Sequence, residues 1–126
     1  MNTALICDQR NKICNSYEFH LFPCRLIELH KEVLADKKLP DEHLYGRAGY
    51  LASLMYVQKH LGHEVIPQDI VRQIVKAMLS SGQALAQKRG WKCPLIYAWY
   101  KEYYLGAAHG LAGIVYTLML VRVEKN

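Results

Sequence analysis

Leu44-Tyr45-Gly46-Arg47-Ala48-Gly49-Tyr50-Leu51 returns near the C-terminus as Ala108-His109-Gly110-Leu111-Ala112-Gly113-Ile114-Val115. The register pairs Gly46 with Gly110, Ala48 with Ala112 and Gly49 with Gly113, then Leu54 with Leu118 and Met55 with Met119, at a constant offset of 110 − 46 = 64 residues. Self-similarity at a fixed period marks one structural unit used twice, and so long a period leaves room for more than one helix in each unit. The second copy holds a lone histidine, His109, among small residues, with no charged side chain between Glu102 and Arg122. Small neighbours let backbone or ligand come close, and an imidazole exchanges a proton near neutral pH. The other reading of His109 is a buried histidine at a tight helix start.

Working outward, Leu26, Ile27, Val33 and Leu34 recur at helical spacing among Arg25, Glu28, Lys31 and Glu32, which predicts an amphipathic, half-exposed helix over residues 23–35. Pro40 and the charges around it make residues 36–42 a loop. Residues 46–61 are apolar on most sides and end at Gly62, the pattern of a buried helix. Pro67 suits the first turn of an outer helix running to Arg89, with Ile70, Ile74, Met78 and Leu85 on one face and Gly90 as the stop. The last helix, residues 106–121, is again apolar all round. The order is therefore outer, inner, outer, inner. By hydropathy, residues 103–121 also approach the length of a bilayer core, with Gly106-x-x-x-Gly110 as a membrane packing motif. His109 in mid-segment, and a first copy too polar to span, favour a buried helix, so no transmembrane segment is expected.

The two glycine motifs, the connector Pro94-Leu95-Ile96-Tyr97-Ala98-Trp99-Tyr100-Lys101-Glu102-Tyr103-Tyr104 and the block Leu105-Gly106-Ala107-Ala108-His109-Gly110-Leu111-Ala112-Gly113-Ile114 resemble the eukaryotic lanthionine synthetase C-like (LanC-like) proteins. The resemblance implies an all-α chain forming about two helical hairpins of an α/α toroid, with the starts of the inner helices lining one rim of a central cavity. The expected organisation is an unmatched segment at residues 1–22, a partial toroid at 23–121 and a tail at 122–126. The family binds zinc in the cavity to hold a thiolate. Its bacterial members cyclise lanthipeptides, and its eukaryotic members add glutathione to dehydroamino acids in proteins. His109 falls on the motif histidine, whose implied role is to move a proton during thiol addition. Tyr45, opposite His109 in the register, and Arg47, at a helix start that favours anions, are the candidate glutathione-binding residues. Arg47 has a second reading, a salt bridge to Asp41 or Glu42. Gly46, Gly49, Gly106, Gly110 and Gly113 are the structural glycines.

The family's zinc ligands, a cysteine and a Cys-His pair, belong to later repeats. Cys7, Cys14, Cys24 and Cys93 form neither Cys-x-x-Cys nor Cys-His pairs, so no metal site is expected in this chain. Cys93, before Pro94, reads as a reduced, partly buried thiol, and His60-Leu61-Gly62-His63 lies at a helix end without a third ligand. The expectation is a fragment or truncated isoform whose parent binds glutathione and catalyses zinc-dependent thiol addition to dehydroamino acids in peptides or proteins. The alternative is a non-catalytic glutathione- or protein-binding regulatory product without the zinc site. In either case few units are present to cover two apolar helices, so exposed apolar patches are expected. Sixteen Lys and Arg against eleven Asp and Glu give a net charge of +5, scattered without a basic run, which argues against a nucleic-acid partner. The N-terminus lacks a leader pattern and the cysteines are unpatterned, so a cytoplasmic protein is expected, with peripheral plasma-membrane association as its one tie to lipid.

Overall fold

The computed structural model describes residues 17–121. Five α-helices follow one another there: α1 (Tyr17–Glu28), α2 (His30–Ala35), α3 (Arg47–Leu61), α4 (Gln68–Arg89) and α5 (Leu111–Leu120), with a single 3₁₀ turn, His63–Val65, between α3 and α4. Among the described residues there is no strand, only an isolated bridge between Trp99 and Glu102. The chain is all-α. The inner helix α3 packs against α1, α4 and α5, while α2 lies on α4.

Local chemistry sets most of the boundaries. On α4 the buried residues Ile70, Val71, Ile74, Met78, Gly82 and Ala86 recur every three to four positions and form one stripe. Leu85, expected on that face, is only half-buried. Gly62 at φ 106° ends α3, and Gly90 at φ 66° ends α4 in the left-handed conformation. The core between the helices is built from Ile27, Leu51, Leu54, Ile66, Ile74, Met78 and Ile114, all at most 1% exposed. Tyr50 donates its hydroxyl to the Leu26 carbonyl at 2.7 Å, tying α3 to α1. Burial pushes this phenol up to about 12.

Three expectations need correction. The first helix does not open at Pro23, which lies inside α1. Its fixed φ fits a helix, and its burial provides packing that offsets the backbone hydrogen bond it cannot donate. The helix breaks instead at Leu29, where His30 Nδ1–H donates to the Ile27 carbonyl at 2.6 Å. The last helix starts at Leu111 rather than Gly106, because residues 106–110 form a turn. The inner helices are also not covered all round. Tyr56 on α3, and Tyr116, Met119 and Leu120 on α5, are exposed, since cover comes from the α1–α2 and α4 side and from each other. No helix among the described residues is long and apolar enough to cross a membrane.

The repeat is literal at the level of hydrogen bonds. Arg47 and Ala48 donate their N–H groups to the Pro40 and Asp41 carbonyls, and 64 residues later Leu111 and Ala112 donate to those of Tyr104 and Leu105. Ser53 Oγ donates to the Gly49 carbonyl at 2.9 Å, and Thr117 Oγ1 to that of Gly113 at 2.8 Å. Both helix starts thus fold down onto the loop before them. A Cβ at Gly49 would run into the His43 carbonyl oxygen, and one at Gly113 into that of Ala107. At Gly106 it would meet nothing within 4 Å.

The close approach generates a test with an internal control. Gly49→Ala and Gly113→Ala are each expected to destabilise the fold by about 1–3 kcal/mol in chemical denaturation, since a carbonyl must move. Gly106→Ala is expected to stay within about 0.5 kcal/mol of the parent.

Candidate functional site

Because the two turns, residues 42–46 and 106–110, are copies of one another, Tyr45 and His109 occupy equivalent places at the starts of α3 and α5. Their rings lie 6.4 Å apart with planes 2° from parallel. The connector lays Trp99 against both, stacked on His109 at 4.0 Å and near-parallel to Tyr45 at 5.9 Å. Tyr104 tilts against the imidazole from 6.0 Å. His109 is therefore held by aromatic surface on its ring face, with its side chain 30% exposed.

The edge of the imidazole is held by charge. His109 Nδ1–H donates to Glu42 Oε2 at 2.6 Å, and the Glu42 side chain is only 1% exposed. The other carboxylate oxygen, Oε1, accepts the backbone N–H of Tyr45. A buried carboxylate on Nδ1 fixes the ring orientation and the tautomer, leaving Nε2 as the nitrogen available for proton exchange.

Arg47 looks the other way. Its Nη1 donates to the Leu39 carbonyl at 2.8 Å and pairs with Asp41 Oδ1 at 3.2 Å, while Nη2 donates to the Asp36 carbonyl at 2.9 Å. Asp41 Oδ2 accepts the Ser81 hydroxyl at 2.6 Å. Burial is the largest influence on Asp41 and lifts its carboxyl above the usual range, against the Ser81 hydrogen bond and the Arg47 charge. Nearby, Tyr97 donates to the Met78 carbonyl at 2.8 Å, and its phenol is raised by burial and by the Asp41 charge. Arg47 thus fastens loop 36–41 to the start of α3, and the Asp41–Ser81 bond ties that loop to α4.

Of the residues expected from sequence, His109 and Tyr45 meet, and Arg47 forms the salt bridge to Asp41 that was its second reading. Glu42 and Trp99 are additions that sequence reasoning passed over as site residues. Glu42 does carry a signal: it stands where the repeat has Gly106, so the two copies differ at that position. Cys93 is exposed rather than partly buried, its thiol directed to the Leu95 carbonyl at 3.1 Å, because residues 91–94 run on the surface. The His60 ring lies against Tyr56 at 4.3 Å. Among the described residues no three His, Cys, Asp or Glu side chains converge, so the zinc implied by the resemblance finds no fitting ligand set there.

The sequence pattern of the lanthionine synthetase C-like protein family matches residues 7–125. Glutathione S-transferase LANCL1 of Danio rerio is 50% identical over 98 residues, which are 75% of this chain and 24% of that protein. LanC-like protein GCL1 of Arabidopsis thaliana is 40% identical over 76 residues, 60% of this chain and 17% of that protein. The chain spans about a quarter or less of the length of these relatives.

The polar network predicts unequal losses for its two ends. Arg47→Ala is expected to cost about 3–5 kcal/mol, since Asp41 is left buried without its cation. Asp41→Asn keeps an acceptor for Ser81 and removes a charge that burial already disfavours, so its loss in the same denaturation experiment is expected to be clearly smaller. Equal losses would show that the charge pair alone sets the cost and that the Arg47 bonds to the Leu39 and Asp36 carbonyls add nothing to it.

Proposed function

The chain belongs to the lanthionine synthetase C-like family, and on that premise we propose that it supplies the proton-handling rim of a site that adds glutathione to dehydroamino acids in peptides or proteins. The observation that carries this reading is the Glu42–His109 pair under Trp99, an oriented imidazole with Nε2 left open at the start of an inner helix. Further support comes from the name of the zebrafish relative, a glutathione S-transferase.

Neutral His109 accepts the thiol proton at Nε2. The sulfur then forms a bond to the β-carbon of the dehydroamino acid, and the C=C π electrons move onto the α-carbon and its carbonyl as an enolate. The imidazolium returns the proton to the α-carbon, so one proton and one thiolate are added and His109 ends neutral. Glu42 is a positioning residue that also stabilises the imidazolium while it exists. Tyr45, with an exposed phenol beside the imidazole, is the glutathione-facing group of this proposal. Arg47, the second candidate for that role, has its guanidinium engaged by Asp41 and the Leu39 and Asp36 carbonyls.

The test is made on the whole protein with glutathione and a dehydroalanine peptide. His109→Asn is expected to lower the rate of addition by roughly 10²–10⁴ while glutathione affinity, from calorimetry, stays within about twofold. Glu42→Gln is expected to lower the rate by roughly 10–100-fold through loss of orientation, again at nearly constant affinity. Loss of rate and affinity together with a lower Tm in both variants would show that the pair only holds the rim together.

A further inference from the structure

Tyr100 and Lys101 are the non-glycine residues with positive φ among those described, at 48° and 65°. Trp99 and Glu102 exchange both backbone hydrogen bonds across them, at 2.9 and 3.0 Å, and so close a two-residue turn. Positive φ at both central positions defines a turn that Asn-Gly fills with ease and that strains residues bearing a Cβ. Core packing does not account for the choice, because Tyr100 is 82% exposed and Lys101 is also exposed. What the strained turn does is stand Tyr100 edge-on to Trp99, with rings 4.8 Å apart, over an open cleft of about 720 Å³.

The cleft has a definite chemistry. Leu39 and Pro40 of the loop, Leu85 of α4, and Tyr97 and Trp99 of the connector give it apolar and aromatic walls. Two charged residues line it, Lys38 and Asp41. Asp41 presents no free oxygen, since Ser81 takes one and Arg47 the other. The charge its walls show is therefore the ammonium of Lys38, while Lys101 and Glu102, both exposed, stand on the adjoining turn outside the lining.

We propose that this cleft seats the acceptor polypeptide, as an extended segment with an acidic side chain next to an apolar one. The apolar group packs on Trp99 and Tyr100, and the carboxylate lies at Lys38. Trp99 is shared with the site, one face stacked on His109, so a segment in the cleft runs on toward the imidazole. Naming the occupant as the acceptor rests on the thiol-addition reading above.

Two labelled ten-residue peptides test this by fluorescence anisotropy on the intact protein, one alternating leucine with glutamate, the other leucine with lysine. The glutamate peptide is expected to bind at least about tenfold tighter. Lys38→Glu, a change at an exposed side chain, is expected to reverse the preference. The double substitution Tyr100→Asn, Lys101→Gly is expected to raise Tm by about 2 °C or more by relieving the turn, yet to weaken the glutamate peptide about tenfold. Glutathione titrated in parallel is expected to bind all three proteins alike. Peptides bound without discrimination, no reversal in Lys38→Glu, or full affinity in the relaxed turn would overturn the proposal, even with glutathione binding intact. Peptide discrimination without any glutathione binding would keep the cleft and sink the thiol-addition reading instead.

Discussion

Each inner helix begins by directing its first N–H groups to carbonyl oxygens seven residues upstream, Arg47 to Pro40 and Leu111 to Tyr104, and the rest of this arrangement depends on that contact. A helix start leaves several N–H groups without intrahelical partners, and here the preceding loop supplies acceptors in place of water or a capping side chain. The loop must pass within van der Waals distance of the helix axis, so the facing positions have no room for a Cβ. Glycine at those positions is a consequence of packing, not of unusual φ, since Gly46 and Gly110 are extended. The same closeness brings residue 45 of one turn and residue 109 of the other to a common rim.

What could be read from sequence follows the range of the forces involved. The boundaries of α3 and α4 rest on neighbours: Gly46 and Pro67 at the starts, Gly62 and Gly90 at the ends, and an apolar stripe between. Those were legible. The start of α5 was not, because Gly106-Ala107-Ala108-His109-Gly110 has a composition that an apolar helix and a tight turn share. Carbonyl partners at residues 104–106 decide between the two, and hydropathy does not report them. Pro23 misled for a related reason, since its local signal of a helix start yields to burial against the core. The 64-residue register placed Tyr45 opposite His109, but Glu42, sixty-seven positions from its partner, is reached only through the fold.

The polar interior beside the site has a different logic. Arg47 and Asp41 are both nearly buried, which costs each ion its hydration. Two backbone carbonyls and the Ser81 hydroxyl share the compensation with the pair itself. Even so, burial dominates at Asp41 and raises its carboxyl. A network of this kind contributes less to net stability than to register. It gives the loop one place to sit against α4, and through Pro40 and Asp41 that place sets where α3 begins.

Trp99 is where these constraints meet. Its backbone closes the strained turn at Tyr100–Lys101, one face of its indole lies on His109, and its edge borders the cleft. An imidazole held in one orientation needs support on its ring face as well as at Nδ1, because a single hydrogen bond leaves the ring free to rotate about its axis. The indole removes that freedom, and the connector holds the indole through Tyr97 on Met78 and the Ile96 N–H on the Gly82 carbonyl. Gly82 is bare for the same reason as the helix-start glycines: a Cβ there would enter the Tyr97 ring. The outer helix thus reaches the imidazole through two aromatic rings and one missing methyl.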